Sequence, residues 1–557
     1  MFMKLRPARP LAAAILFIAL FSASDLRSVA QPALPPGFPA GVNLPRKLHG
    51  EDAIGALGPR LPEVAAFYRK TPDELKKLFR EDHSLHADER GRLLYVCDLK
   101  VPEQTVAATN IGPTDIAPFS AEQTFRLHSR KGAGRVIYLD FDGHDGSATA
   151  WNDDAVARPF DIDGDPNTFN ATERDRIVYV WQRVAEDYAM YDIDVTTEDP
   201  GTANLIKSST SDTNFGVRVV IGGAGGDWYG SAGGVAYLNS FDDNADTPCW
   251  VFPKSLGPDN EKYIAEACSH EAGHTLGLSH DGTTTGASYY SGQGNWAPIM
   301  GVGYYEPIAQ WSKGEYANAN QTQDDLAVML TLGATYRPDD HGNTNATATA
   351  LSGVTFSTNG IISQRTDLDF FRFTTGDGRV NITVNRAPRD SNLRIQVMLY
   401  DSNGNVLQTT NVADTTSGTQ PVTLTAQLAA GTYFFSVDGI GSGDPLTTGY
   451  TDYASLGQYL ISGTLPSDST WVPTAAGTYA WTNTANWATN TLPNGIGATL
   501  RVNNNIVGDQ TINLTGPVTL GRLFLGDDNS THGFNLQPTG GSLTFNNLSG
   551  PAVISKT

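Results

Sequence analysis

The chain is poor in cysteine and in basic residues for its length. Its 557 residues include three cysteines, Cys97, Cys249 and Cys268, so at most one disulfide can form within the chain. Lysine and arginine together number 38 against 59 acidic residues, which gives a net charge of −21. A surface with that balance repels phosphates, and we therefore expect no nucleic-acid partner.

Long apolar runs are also scarce. The clearest is Leu11–Phe21, which follows a basic N-terminal region and precedes the small residues Ser28–Ala30. A run of that length is too short to cross a bilayer, so residues 1–30 are predicted to be a signal peptide. No later run is long and apolar enough to span a membrane. We therefore expect a secreted, extracellular protein.

A chain of 557 residues is too long for one hydrophobic core. Helical and strand patterns interleave over residues 130–337, which predicts a mixed α/β (α+β) domain. Short strands and turns follow in residues 338–466 and predict an all-β sandwich of jelly-roll type. Residues 467–557 are rich in glycine, asparagine and threonine. The sequence thus predicts a multidomain protein that becomes β-rich towards its C-terminus.

The most informative stretch begins at His270 and reads H-E-x-x-H-x-x-G-x-x-H-D. On a helix, His270 and His274 lie on one face because they are four residues apart. Gly277 can end that helix and turn the chain back, so that His280 supplies a third nitrogen. Three imidazoles with an open fourth position are typical of a catalytic zinc site, and Glu271 can reach a water bound there.

This motif resembles that of the metzincin zinc metallopeptidases, whose signature is the long zinc motif followed by a Met-turn. The segment Ala297–Gly301 is similar to that turn, with Met300 as an apolar floor beneath the metal. Asp281, directly after the third histidine, resembles the adamalysin (reprolysin) branch. The resemblance implies an endopeptidase for protein or peptide substrates, with one zinc ion and Glu271 as general base.

The resemblance also implies two substrate-binding regions. In these enzymes the strand before the zinc helix is the edge of the sheet and pairs with extended substrate. The candidates for that strand are Gly234, Val235 and Ala236. The segment after the Met-turn forms the wall of a specificity pocket, with Tyr305, Ile308 and Trp311 as candidates. An edge strand without any ligand is the alternative for the first region.

Residues 31–129 resemble a propeptide, which implies that the enzyme is made as a zymogen. Cys97 is a candidate zymogen switch, because a thiolate from a pro-segment can fill the open zinc position. The sequence around Cys97 lacks the known cysteine-switch consensus, and Asp98 can play the same part. The alternative for Cys97 is a small buried strand residue. Cys249 and Cys268 flank the zinc helix and are the predicted disulfide.

Residues 338–466 resemble the bacterial pre-peptidase C-terminal domain, and residues 467–557 resemble the opening of an autotransporter-like parallel β-helix. Modules of the first kind often bind extracellular matrix polymers or calcium. Acids at 339–340 and 367–369, and the loop Asp161–Asp165, are candidate Ca²⁺ ligands, with solvated acids as the alternative.

Two rival interpretations of the whole chain remain. One is a non-catalytic surface or matrix-binding protein on a metzincin scaffold. The other is a zinc hydrolase for substrates other than peptides.

Overall fold

The computed structural model describes residues 34–98, 120, 122–151, 156–223, 228–257, 260–389, 392–411, 420–488, 490–547 and 551–556. The predicted signal peptide, residues 1–30, lies outside the described residues. Within them, the chain is multidomain and mostly β, with several sheets and few helices. No helix of the described part has the length and apolarity that a membrane crossing requires.

The N-terminal region, residues 34–98, contains short strands and three helices. Its elements are β1 (Leu48–His49), α1 (Gly50–Leu57), α2 (Leu61–Phe67), α3 (Pro72–Glu81), β2 (Leu85–Ala87) and β3 (Leu93–Cys97). A capping box starts α3, in which Glu74 N–H donates to the Thr71 hydroxyl and Thr71 N–H donates to the Glu74 carboxylate. Asp82 directly follows the helix as its C-cap, and its carboxylate reaches the site described below.

Strands and helices alternate along residues 130–337, as the sequence pattern predicts. The elements are β4 (Arg135–Asp140), β5 (His144–Asp145), β6 (Val156–Ala157), α4 (Ala171–Asp187), β7 (Ile193–Thr196), β8 (Phe215–Ile221), β9 (Gly234–Tyr237), β10 (Cys249–Val251), α5 (Glu261–Thr275), β11 (Trp296–Pro298), β12 (Ile308–Gln310) and α6 (Asp325–Leu330). Strands β5 and β6 form a small hairpin, and β11 and β12 form a separate parallel pair.

One mixed sheet runs through both regions, in the order β1-β2-β3-β9-β10-β8-β4-β7. Strands β10, β8, β4 and β7 are parallel to one another, whereas β9 is antiparallel to β10. Strand β3 is antiparallel to β9, so the N-terminal region extends the sheet beyond β9. Residues 34–98 are therefore part of the same sheet as the region that contains the histidine motif.

Helix α5 carries the histidine motif and is buried from Tyr263 to its end. It packs between the sheet and α4. Asn260 caps its start by accepting hydrogen bonds from the N–H groups of Lys262 and Tyr263, at 3.1 and 3.2 Å. On the α4 side, the Tyr188 hydroxyl donates to the carbonyl of Ser269 at 2.9 Å. The helix is thus held on both sides, which gives its side chains fixed directions.

Residues 338–466 form the predicted β-sandwich. Its strands are β13 (Thr349–Ala350), β14 (Thr355–Ile362), β15 (Asp369–Thr375), β16 (Gly378–Arg386), β17 (Ile395–Tyr400), β18 (Val406–Asn411), β19 (Val422–Leu428), β20 (Gly431–Gly439) and β21 (Gly457–Thr464). They form the sheets β13-β15-β20-β17-β18 and β14-β21-β16-β19. Burial alternates along β16, where Val380, Ile382 and Val384 face the core. This core is continuous with that of residues 34–337.

The C-terminal residues form a short stack of parallel strands. These are β22 (Ser469–Thr470), β23 (Gly477–Ala480), β24 (Thr499–Val502), β25 (Gln510–Leu514), β26 (Pro517–Leu520), β27 (Arg522–Leu525), β28 (Phe534–Pro538), β29 (Ser542–Phe545) and β30 (Val553–Lys556). All pairings in its three sheets, β22-β24-β27-β30, β23-β25-β28 and β26-β29, are parallel. This pattern is that of a parallel β-helix. Trp471, Trp481 and Trp487 pack together in its separate apolar core.

Replacement of Trp487 by alanine is expected to unfold this β-helix before the rest of the chain. Its side chain is 1% exposed within a separate core, so the loss of about 3–5 kcal/mol falls on that unit. In limited proteolysis across a denaturant series, the variant should be cleaved after residue 466 at a lower denaturant concentration than the wild type. Cleavage in the rest of the chain should be unchanged. Val507→Ala, at a side chain that is 75% exposed, is the control and should change nothing. A single unfolding transition that shifts for the whole chain would contradict the independent unfolding of the β-helix.

Candidate metal centre

The three predicted histidines converge on one point in the structure. His270 and His274 lie one turn apart on α5. Gly277 has a φ of +94°, in the left-handed region, and turns the chain so that His280 faces the same point. The Nε2 atoms of His274 and His280 are 3.1 Å apart. The motif thus forms the side-chain cluster that its spacing predicts.

The Nδ1 atom of each of the three histidine rings lies within hydrogen-bonding distance of an oxygen acceptor. His270 Nδ1 is 2.8 Å from the carbonyl of Ile299, and His274 Nδ1 is 2.7 Å from the carbonyl of Leu278. His280 Nδ1 is 2.6 Å from the Asp82 carboxylate, which belongs to the N-terminal region. Because these partners only accept, each Nδ1 carries the proton and each Nε2 keeps its lone pair. The three lone pairs point into the cluster, as metal binding requires.

The Cys97 thiol is the fourth member of the cluster. Its Sγ atom lies 3.7 Å from His270 Nε2 and 3.5 Å from the Nε2 atoms of His274 and His280. In a tetrahedron with Zn–S of about 2.3 Å and Zn–N of about 2.05 Å, sulfur and nitrogen are about 3.6 Å apart and two nitrogens about 3.3 Å. The observed distances match both values closely. These four side chains are a buried group that can hold a metal ion.

Burial sets the protonation of the cluster. It lowers the pKa of His270 to about 3 and also lowers the pKa of His274, so both rings are neutral ligands at ordinary pH. Burial, followed by the nearby charge of Glu271, raises the pKa of the Cys97 thiol. A bound cation would reverse that second effect, because it favours the thiolate. The two neutral imidazoles and the thiol are therefore suited to bind a metal ion.

Glu271 lies beside the cluster as a buried carboxylate. Within the described residues neither of its oxygens has a hydrogen-bond partner, and burial raises its pKa well above the ordinary value. Strand β9 passes so close that a Cβ added to Gly234 would lie 2.4 Å from Glu271 Oε1. Only glycine permits this approach. A buried carboxyl group without partners next to a metal cluster is typical of a functional site.

Met300 packs against helix α5 between the first two histidines, and its role as a Met-turn residue stays a prediction. A Cβ added to Gly273, between the first two histidines, would lie 2.8 Å from Met300 Sδ. Two hydrogen bonds to backbone carbonyls fix the turn: His270 Nδ1–H donates to the carbonyl of Ile299, and the Asp281 N–H donates to the carbonyl of Met300 at 2.9 Å. The Met300 side chain is fully buried and belongs to the apolar core.

Gly234, Val235 and Ala236 do not form a free edge in the described chain, and substrate binding by these residues stays a prediction. Strand β10 pairs with one side of β9, and β3 pairs with the other. Cys97 lies opposite Gly234, and Val96 lies opposite Val235. The N-terminal region therefore uses the backbone groups that a substrate strand would need. In addition, β10 comes between β9 and helix α5 along the chain.

Tyr305, Ile308 and Trp311, the candidates for a pocket wall, lie in three different environments. Trp311 is a core residue, and a pocket role for Tyr305 and Ile308 stays a prediction. The Trp311 indole is buried and donates to the carbonyl of Asp187 at 2.6 Å, as a core residue. Ile308 packs in a small apolar cluster that includes the sandwich residue Tyr450, and Tyr305 is 42% exposed. Burial raises the pKa of the neighbouring Tyr304, and the charges of Glu271 and Cys97 add to this shift.

Three side chains at the site were not predicted. Tyr95 stacks on His274, with ring centres 4.0 Å apart and planes 16° apart. Tyr289 lies 4.3 Å from the His280 ring, and Asp82 holds the other side of that ring. The spacing of Tyr95 and Cys97 offered one signal, because residues two apart on a strand share a face. The sequence gives no comparable sign for Asp82 or Tyr289.

The predicted disulfide between Cys249 and Cys268 is wrong, because all three cysteines are free and buried. Cys249 lies on β10 and Cys268 on α5, in the layer where the helix packs on the sheet. Each thiol there fills the place of a small apolar side chain. The closeness of Cys249 and Cys268 in sequence to the histidine motif thus reflects packing and not a covalent link.

Acidic side chains group at two of the places predicted for calcium. One group is Asp161, Asp163 and Glu173, and the other is Asp339, Asp340 and Asp369. In each group one ligand atom per residue lies within 4.8 Å of the others. Asp369 is fully buried, whereas its two partners are exposed. Calcium binding at either group stays a prediction.

Comparison with known proteins gives little further information. No family model matches the chain, and no curated protein matches it. A solved pre-peptidase C-terminal domain of a collagenase from Bacillus anthracis is 14% identical, covers 23% of this chain and 100% of its own, and has a TM-score of 0.16. A mitogen from Yersinia pseudotuberculosis is 9% identical, covers 20% of this chain and 85% of its own, and has a TM-score of 0.14. At such TM-scores neither likeness carries an argument.

Purified full-length protein is expected to hold about one metal ion at this cluster, measured by elemental analysis. His274→Ala should remove most of it, whereas His532→Ala, at a distant histidine, should not. Substitution with cobalt tests the thiol, because a thiolate ligand gives a charge-transfer absorption in the near ultraviolet. Cys97→Ala should keep the cobalt and lose that absorption. Equal metal content in wild type and His274→Ala would contradict the site.

Proposed function

We propose that this chain is the latent form of a secreted zinc endopeptidase of metzincin type. The observation that carries the proposal is the buried set of one thiol and three imidazole nitrogens, with Glu271 beside it. The nearly tetrahedral separations and the mixed sulfur and nitrogen donors favour zinc among the common metals. The matched spacing of the histidine motif and the position of Met300 support the same family.

The chemistry divides between the metal and the protein. When bound, zinc would lower the pKa of a water and polarise the carbonyl of the scissile bond. Glu271 would take the proton of that water and deliver it to the leaving nitrogen. The Nδ1 contacts of the histidines keep the three rings in place throughout.

The N-terminal region explains latency in two ways. Cys97 occupies the position at which a catalytic zinc site must be open to water. Strand β3 also covers the edge of β9. Removal of residues 34–98 would free both the metal position and the strand edge. This arrangement supports the interpretation of residues 31–129 as a propeptide, and it favours Cys97 as the zymogen switch over Asp98, whose Oδ1 accepts from Ser231 at 2.7 Å.

Peptides are the substrate class that the site favours. The binding edge of β9 already holds an extended strand of this same chain. Main-chain pairing of that kind requires the regularly spaced N–H and C=O groups of a peptide backbone, so it recognises peptides and does not bind other polymers. All three histidines and Glu271 are present, which disfavours a non-catalytic scaffold. Binding of a matrix polymer or calcium by the C-terminal domains stays a prediction.

Glu271→Gln is expected to keep the metal and to lose hydrolysis of casein or mixed peptides by about 10²–10⁴-fold after activation, because the proton acceptor is gone. Elemental analysis and peptide release are measured on the same sample. Glu261→Gln, at the start of the same helix, is the matched control and should keep full activity. Full activity in Glu271→Gln would refute the assignment of the base.

Cys97→Ala is expected to raise the activity of the uncleaved chain by about tenfold, equal to about 1.4 kcal/mol, because the fourth ligand is lost. The rise is partial, since β3 still covers β9. Cys249→Ala removes another buried thiol and should leave the latent state unchanged. Peptide release by the uncleaved proteins measures the effect. Unchanged latency in Cys97→Ala would exclude a switch through this thiol.

A further inference from the structure

The direction of β3 on β9 is informative about substrates, if the proposed function is right. β3 runs antiparallel to β9, and its last residue, Cys97, reaches the metal cluster. Cys97 lies opposite Gly234, the residue that closely approaches Glu271. An extended peptide on the same edge in the same direction would therefore pass beside both the histidine cluster and Glu271. The N-terminal region occupies this edge of β9 in the described chain.

The side chains of β3 alternate between two environments. Tyr95 and Cys97 face α5 and the metal cluster. Val96 faces the other side of the sheet, where it packs on an apolar cluster that includes Val235 and Trp250. Such alternation is general for strands, so any peptide in this place meets the same two surfaces.

The space filled by Tyr95 is shaped for an aromatic ring. The Tyr95 side chain is fully buried. It lies nearly parallel to the ring of His274 at 4.0 Å and at 4.4 Å from the ring of His280. Stacked rings of this kind gain energy beyond simple burial, and a small side chain would leave a cavity. A charged side chain would be buried without a partner.

We propose that β3 marks the path of the substrate, and that the enzyme selects extended peptides with Tyr or Phe two residues before the residue opposite Gly234. The intervening residue, at the position of Val96, is aliphatic. The bond cleaved is the one that follows the residue opposite Gly234. Water adds its oxygen to that carbonyl carbon, the C–N bond breaks, and Glu271 transfers the proton to the departing amine. The substrate class is unfolded or flexible polypeptide with apolar, aromatic-containing segments.

The first test compares the rates at which several peptides are hydrolysed by the chain after it has been cut and its N-terminal fragment removed. The recognition sequence of a site-specific endoprotease replaces part of residues 104–115, and the chain is cut and separated from its N-terminal fragment. The substrate is a quenched fluorescent peptide of residues 92–98 with Cys97→Ala, extended by three alanines. Tyr95→Phe in this peptide should keep kcat/KM within about threefold, and Tyr95→Ala should lower it by about tenfold or more. A scrambled peptide of equal composition is the control.

A second test measures binding without catalysis. The same peptides are titrated into the cut, metal-loaded Glu271→Gln protein and followed by fluorescence anisotropy. The peptide with Tyr95 and the Tyr95→Phe peptide should have similar dissociation constants, and the Tyr95→Ala peptide should bind about tenfold more weakly. If the N-terminal fragment stays bound after cutting, the same ranking is read from its own dissociation constant in the Tyr95→Phe and Tyr95→Ala chains.

The outcomes separate this inference from the proposed function. Hydrolysis of casein together with equal cleavage of the Tyr95 and Tyr95→Ala peptides would overturn the aromatic preference and keep the peptidase. Cleavage at a different bond, located by mass spectrometry, would overturn the assigned register. Metal binding without hydrolysis of any peptide would refute the proposed function itself.

Discussion

The pairing of β3 with β9 is the interaction on which the arrangement of the site depends. It joins the N-terminal region to the central sheet through four residue pairs, from Leu94 opposite Tyr237 to Cys97 opposite Gly234. A shift by one residue would turn Cys97 away from the histidines and Tyr95 away from His274. The thiol therefore meets the three nitrogens because a backbone register places it there. That register also allows Gly234 to lie against Glu271.

Helix α5 is supported from its other side by a buried polar network. Arg183 pairs with Glu266, one turn before His270, and the Ser269 hydroxyl donates to Asp187 at 2.5 Å. Asn392, from the β-sandwich, donates to the same Asp187 carboxylate at 2.6 Å. Burial, with the charge of Glu266, raises the pKa of Asp187 to about 7. The sandwich thus contributes directly to the support of α5, and polar networks of this kind favour one arrangement over others.

The sequence was most informative where chemistry depends on local spacing. The cluster of His270, His274 and His280 follows from four-residue and six-residue spacings within one helix and its turn, and the alternation in β16 follows from a two-residue period. Contacts between distant segments were not accessible in this way. The pairing of β3 with β9 joins residues about 140 positions apart. The hydrogen bond between His280 and Asp82 joins residues 198 positions apart. Trp311 was misassigned because an aromatic residue after the turn fits a pocket wall and a core equally well.

The bond from Asp82 to His280 joins the metal site to the stability of the whole N-terminal region. When that region departs, the site loses a sulfur ligand and the carboxylate that orients its third imidazole in a single step. By thermodynamic linkage, an ion that binds more tightly with the region in place must also hold the region more tightly. Under the proposed function, the chain with its N-terminal region in place is consequently the form with the higher metal affinity, and removal of that region would open a coordination position at the expense of this affinity.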